Sequence, residues 1–277
     1  MKESRLQAWL CGARERVIWL EYDRYAHRVF ANAAQDWWRN ATRFATTMIQ
    51  AHRAIPSEVL TIDIAQPGFA SATDAGDPVS TCKRALQDPA SLRFIHEVCD
   101  ALAHQLDRQC DLVLRVPAPA DLLRLAGQEG ESSFDDLDEI GTQILSLVRP
   151  FAEKPLAGLL LTRAAEFPLS ADEQDAYAPL ARASRHYGWV SCLQYTEPSA
   201  ATANDWTDLD LVLCTELTII DLLRINAPRR KFGGGLPHSS WAGGQNAAAS
   251  GLLFGTIPRE GNPEQIFARC ADLRVEG

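Results

Sequence analysis

The chain has 277 residues, 46% of them hydrophobic and 23% charged, and a formal net charge of -9 at neutral pH. That balance, with no basic block and no aromatic-basic interleaving, argues against a nucleic-acid partner, and no apolar run nears the roughly 18 residues that cross a bilayer. Met1-Lys2-Glu3-Ser4-Arg5 leads into mixed polar sequence without an export signal, so a cytoplasmic protein is expected.

Short runs rich in Val, Ile and Leu recur along the chain, separated by longer amphipathic stretches, which is the pattern of a parallel sheet with crossover helices. In chain order the predicted strands are residues 17–22, 59–64, 111–117, 157–162, 189–195, 209–215, 230–236 and 252–257. Helical patterns lie between them, among them 90–107 and 135–151, and Pro263 suits the first turn of a last helix. Eight strand-helix units in a chain near the usual length of about 250 residues predict an α/β fold, one (βα)8 TIM barrel spanning 1–277 as a single domain. An open doubly wound sheet is the architectural alternative. The segments 66–80 and 128–133 read as loops after strand ends, on the face where such barrels keep their chemistry.

The seven cysteines, Cys11, Cys82, Cys99, Cys110, Cys192, Cys214 and Cys270, are scattered and odd in number. With no C-x-x-C pair they predict reduced, mostly buried thiols.

The polar residues at or just past the strand ends should converge on one mouth: Glu21, Asp23, Arg24, Asp63, Gln66, Arg115, Arg163, Glu166, Gln194, Tyr195, Glu216, His238, Trp241, Thr256 and Arg259. Arginines among carboxylates can orient an anionic small molecule and leave a carboxyl for proton transfer; the alternative is a salt-linked rim. Asp63 stands out because it interrupts the apolar run Val59-Leu60-Thr61-Ile62-Asp63-Ile64, where an unpaired carboxylate is costly. It requires a partner or a raised pKa, and a structural salt bridge explains it as readily as catalysis does. Catalytic roles are assigned to Asp63, Glu216 and His238. Substrate contacts are assigned to Arg24, Arg115, Arg163, Gln194, Tyr195, Trp241 and Arg259, with no metal and no cofactor.

Asp63-Ile64-Ala65-Gln66-Pro67 resembles the strand of the uroporphyrinogen decarboxylase superfamily in which an essential aspartate precedes Ile and a Pro-containing loop. Residues 19–25 are similar to its first-strand Trp and Arg-Tyr, and Arg115-Val116-Pro117-Ala118-Pro119 to its third-strand Gly-Ala-Pro segment. Phe254-Gly255-Thr256-Ile257-Pro258 with Asn262-Pro263-Glu264 resembles its terminal His-Gly-Ile-x-Pro and Pro-Glu helix start. The resemblance implies a barrel, a homodimer, and decarboxylase or lyase chemistry in which Asp63 stabilises a cationic intermediate or positions a proton.

The departures matter as much. Of the two arginines by which the family holds substrate carboxylates only Arg24 remains, Phe254 stands at the C-terminal histidine, and Leu161-Thr162-Arg163-Ala164-Ala165-Glu166 replaces Phe-Asp-Ser-Trp-Ala-Gly. A divergent member is implied. Methyltransferases of the same superfamily, with corrinoid, folate or thiol carriers and commonly a zinc on a His-x-Cys strand, are the second reading. Here that strand is Val190-Ser191-Cys192, and a zinc would need a non-standard set from Cys192, Cys214, Glu216 and His238. A barrel that has lost catalysis and serves for binding or assembly is the third.

Two weaker signals are the four-residue spacing of His96, Asp100 and His104 on one helical face, and Gly233-Gly234-Gly235 beside the seventh strand. The first suggests a metal or a solvated face. The second suggests a phosphate cradle or a turn that needs positive φ, as Gly243-Gly244 also does.

Overall fold

A computed structural model describes residues 4–33, 37–70, 76–107, 109–164, 169–198, 208–225, 231–242 and 250–275. Eight parallel strands close a barrel in chain order: β1 (Arg16–Glu21), β2 (Val59–Asp63), β3 (Asp111–Pro117), β4 (Gly158–Thr162), β5 (Val190–Tyr195), β6 (Leu211–Cys214), β7 (Phe232–Gly235) and β8 (Gly251–Thr256). The protein is a (βα)8 TIM barrel, and the open-sheet alternative falls on the closing pair, in which β1 and β8 align from Arg16 with Gly251 to Glu21 with Thr256. No helix among the described residues is long and apolar enough to cross a membrane.

Each strand alternates its side chains between two apolar compartments, as the period of two requires. Val17 and Trp19 of β1, Val59, Val113, Leu160, Cys192, Leu213 and Phe254 fill the inside of the barrel. Ile18 and Leu20, with Leu60, Leu114, Leu161 and Leu193, face outward against the helices. The inner layer is packed by shape as well as area: Trp19 meets Phe254 edge-on at 5.8 Å and donates its indole N–H to Thr61 Oγ1 at 3.1 Å.

The seam between β1 and β2 is pinned partly by side chains. Only Trp19 and Val59 are register partners there, while Ser57 Oγ accepts from Leu20 N at 2.9 Å and a Glu58 carboxylate oxygen accepts from Ile18 N at 3.0 Å. β6 begins two residues later than its apolar run for a similar reason. The Asp210 carboxylate accepts from Ser191 N at 2.9 Å and Ser191 Oγ at 2.6 Å, so a side chain occupies the ladder there.

The helices around the sheet are α2 (Asp23–Val29), α3 (Ala41–Ala54), α4 (Gln66–Phe69), α5 (Pro78–Leu86), α6 (Pro89–Leu106), α7 (Pro119–Leu125), α8 (Phe134–Val148), α9 (Ala171–His186), α10 (Ile219–Ile225) and α11 (Pro263–Val275). Side-chain caps start several of them: Asn40, Asp77, Asp88, Ser133 and Ser170 each accept from a backbone N–H of the first turn. The segment 66–80, expected as a loop, instead contains α4 and the start of α5; its residues 71–75 lie outside the described residues.

A further helix, α1 (Arg5–Leu10), precedes the barrel and was not foreseen, although its Ser4-x-x-Gln7 capping box is in the sequence. Leu6 and Trp9, 0% and 1% exposed, enter the inner apolar compartment, and the Leu6 N–H donates to Asp111 Oδ2 at 2.9 Å. Because Asp111 opens β3, α1 stoppers the N-terminal end of the barrel.

Candidate active site at the barrel mouth

Continuing the inward alternation to the C-terminal ends of the strands replaces apolar residues by Glu21, Asp63, Arg115, Thr162, Gln194 and Thr256. Asp63 and Arg115 are register partners on β2 and β3, and Glu21 and Thr256 on β1 and β8. Asp23 joins them from the first turn of α2, which starts straight after β1.

The Arg115 guanidinium is the hub. Its Nη1 donates to Glu21 Oε1 at 2.9 Å and its Nη2 to Asp23 Oδ2 at 2.7 Å. Asp63 Oδ2 accepts from Nη2 at 3.1 Å and from Nε at 3.3 Å. The other Asp63 oxygen, Oδ1, accepts the backbone N–H groups of Ala65 and Gln66 at 3.0 and 2.8 Å. The second Glu21 oxygen takes Gln194 Nε2 at 3.0 Å and Thr256 Oγ1 at 3.2 Å.

All four charged side chains are mostly buried, at 4% exposure for Glu21, 12% for Asp23 and 13% for Asp63 and Arg115. Three carboxylates surround one cation. Within this buried cluster carboxylates outnumber cations, and Arg115 gives its hydrogen-bonding edges to protein carboxylates instead of standing open for an anion. Burial works to raise the Asp23 pKa, but Arg115's charge and hydrogen bond, with the Arg24 backbone N–H and charge, hold the carboxyl below its usual value. Burial likewise opposes the charge on Arg115, yet Asp23, Glu21 and Asp63 hold its pKa well above the ordinary arginine value.

The other assigned residues are placed differently. Arg163 follows the inward Thr162 and is turned away from the mouth: it is 5% exposed and ion-paired with Glu173 of α9. Tyr195 faces outward into the helix-side core, and Trp241 is buried there at 3% exposure, on the single turn that follows β7. Arg163, Tyr195 and Trp241 thus belong to the layer behind the sheet, because their strand parity or their packing sends them there. Arg24 and Arg259 are exposed, the latter 3.5 Å from Glu260. Glu216 and His238 lie together beyond β6 and β7, with the His238 N–H donating to Glu216 Oε1 at 3.4 Å. Neither has a hydrogen bond or ion pair to the Arg115 group among the described residues. Glu166 lies outside the described residues, as do Arg230 and Gly243-Gly244.

The thiols are unsuited to the suggested zinc set. Cys192 sits inside the barrel and Cys214 on the outer face, and burial raises both thiol pKa values, that of Cys214 to about 11. Among the described residues no group of three His, Cys, Asp or Glu is arranged to hold a metal ion. His96 stacks on Phe151 at 4.2 Å and Asp100 pairs with Lys154, which accounts for that helical face without a metal. Gly233-Gly234-Gly235 lies in β7: Gly235 has a positive φ of 88°, as the turn alternative expected, and a Cβ on Gly233 would lie 2.2 Å from a Leu252 methyl, which would have to shift.

The sequence reading gave no role to Glu21, Asp23 and Thr256, although it gathered them at the mouth. Their signal was parity: each falls on, or one turn beyond, the face that Trp19 and Phe254 define. It also missed Asp121, a buried α7 carboxylate that accepts from Ala164 N at 3.3 Å and whose pKa burial raises.

No protein-family model matches the sequence, and no curated protein does. Among solved structures the chain is similar to the homocysteine methyltransferase MmuM from Escherichia coli in its apo form, with 10% identity, a TM-score of 0.53, and 97% and 98% of the two chains covered. The fold is shared. A structure of the pneumococcal virulence factor StrH, solved for insight into N-glycan recognition and hydrolysis, matches with 10% identity, a TM-score of 0.49, and 95% and 83% coverage.

Proposed function

We propose that this barrel is a divergent enzyme of the uroporphyrinogen decarboxylase type, performing acid-base lyase chemistry at the mouth around Asp63. The observation that carries the reading is the double fastening of Asp63, with one oxygen on two backbone N–H groups and the other on Arg115. Four accepted hydrogen bonds fill its lone-pair sites and fix the carboxylate in place, so that its charge is presented to the substrate in a set orientation. Glu21 and Asp23 add to that charge.

In a decarboxylation, a proton from solvent adds to the substrate, the bond to the departing carboxylate breaks, and its electron pair stays on the substrate as carbon dioxide leaves. Positive charge that develops on protonation is what a carboxylate-rich cluster stabilises. Arg115 is committed to the carboxylates, so the anionic groups of the substrate fall to the exposed Arg24 and Arg259.

The test is untargeted mass spectrometry of a small-molecule extract incubated with the wild-type chain or Asp63→Asn. A species lighter by carbon dioxide, formed by the wild-type chain and not by the variant, supports the reading. A product that has gained or lost a methyl group, or no product at all, refutes it.

A further inference from the structure

β1 begins with a charge as well as ending with one. Arg16, Arg14, Arg274, His52, Ser57 and Glu58 supply the polar wall of a cleft of about 450 Å³ on the helix side of the sheet, between the starts of β1 and β2 and the ends of α3 and α11. Arg16 shares the outward face with Ile18 and is only 9% exposed. Its Nη2 donates to the Leu273 carbonyl at 3.0 Å, whereas Nε and Nη1, both buried, have no acceptor among the described residues. No carboxylate among those residues pairs with it either. A guanidinium withdrawn from water without a counter-ion is costly, and the missing charge must come from somewhere.

The wall cannot supply it. Glu58, its one carboxylate, is ion-paired with Arg14, lies 3.7 Å from Arg5, and accepts from Ile18 N at 3.0 Å. Arg274 spends part of its guanidinium on the last carbonyls of α3, at 2.8 Å from Ala54 O and 3.3 Å from Arg53 O, which offsets the negative end of that helix. His52 Nδ1 sits 3.2 Å from Tyr22 OH. Ser57 Oγ is turned to β1 and β2, donating to Val59 O at 2.6 Å. Three guanidinium groups therefore face one committed carboxylate, on a chain whose net charge is -9.

We infer that this cleft binds a small molecule bearing an oxyanion, a phosphate or a carboxylate, whose negative charge offsets that of Arg16 and of the Arg14 and Arg274 guanidinium groups on the same wall. Its volume falls in the range of small-molecule sites, about 300 to 1,000 Å³. It lies at the N-terminal end of the strands, whereas barrels of this kind place their chemistry at the C-terminal end. The ligand is therefore a stabilising or regulatory one, and the inference does not depend on the reaction proposed for the mouth.

Inorganic phosphate and acetate, each against chloride at matched ionic strength, are the probes, with thermal unfolding and, for phosphate, 31P NMR line broadening as readouts. Saturable binding of either ion that chloride does not mimic is expected; the stronger ion identifies the oxyanion. Arg16→Gln and Arg274→Ala should each weaken it by about tenfold or more, and Arg24→Ala and Arg259→Ala at the mouth should leave it unchanged. Arg274 is exposed, so its variant decides the matter if Arg16→Gln does not fold. Equal stabilisation by chloride, binding that survives loss of Arg274, or binding lost with the mouth variants would overturn the inference.

Discussion

Asp63 and Arg115 are neighbours in register on β2 and β3, and the Asp63 Oδ2 atom lies 3.1 and 3.3 Å from two nitrogens of the guanidinium. Arg115 is the only cation bonded to Glu21, Asp23 and Asp63 among the described residues, so removing it strands three mostly buried carboxylates. Arg115→Met should cost about 3 to 5 kcal/mol in urea unfolding at neutral pH. Adding Asp63→Asn to it should recover part of that loss, giving a clearly non-zero coupling in the double-mutant cycle.

Asp63→Asn alone keeps an acceptor oxygen for Ala65 and Gln66 but turns an amide donor toward Arg115. The expected loss is about 1 to 3 kcal/mol of stability, from the mismatched donors. Turnover, measured on the product that the extract screen identifies, should fall by about 100-fold or more. Retained turnover in a folded variant would remove Asp63 from the chemistry.

Trp9 is 1% exposed inside the end of the barrel that α1 stoppers. Trp9→Ala leaves a cavity there and should cost about 3 to 5 kcal/mol, read as a lowered denaturant midpoint. Turnover by the folded fraction should not change, since the mouth lies at the other end of the strands. A variant with wild-type stability would show that α1 is not part of the barrel's core.

His52 has its pKa lowered, first by burial and then by Arg5. The unfolded chain binds this proton near the ordinary value of 6.5, while the folded chain binds it only at lower pH. Between the two the unfolded state holds more protons, so this group's contribution is fully present above about pH 6.5 and is lost as the pH falls. His52→Gln should flatten the dependence of unfolding free energy on pH below about pH 6.5. An unchanged slope would place the titration elsewhere.

The strands were legible because each barrel strand is buried on both faces and reads as an apolar run; β3 matches its predicted bounds residue for residue. Edges moved where a side chain takes over the ladder, as Asp210 does before β6. The residues of the mouth were legible as a set, since polar groups at the ends of apolar strands converge wherever the strands do. Their roles were not. Whether an arginine meets substrate or carboxylate depends on which strand lies beside it and on side-chain parity. Arg115 and Arg163 look alike in sequence, yet one falls on the inner face and the other on the outer. The pairing of Arg163 with Glu173 needs α9 folded back across the sheet, a contact that no local pattern announces.

β1 links a buried cation, Arg16, to a buried anion, Glu21, by five residue steps, about 16 Å at the usual rise of a strand. Both groups are buried, so salt screens them far less than it would exposed charges, and distance is what separates them. The intervening inward side chains are Val17 and Trp19, which carry no titratable group that could relay a proton between the ends. A proton taken up at one end of β1 is therefore not handed along the strand to the other, so that one strand serves two chemically separate compartments.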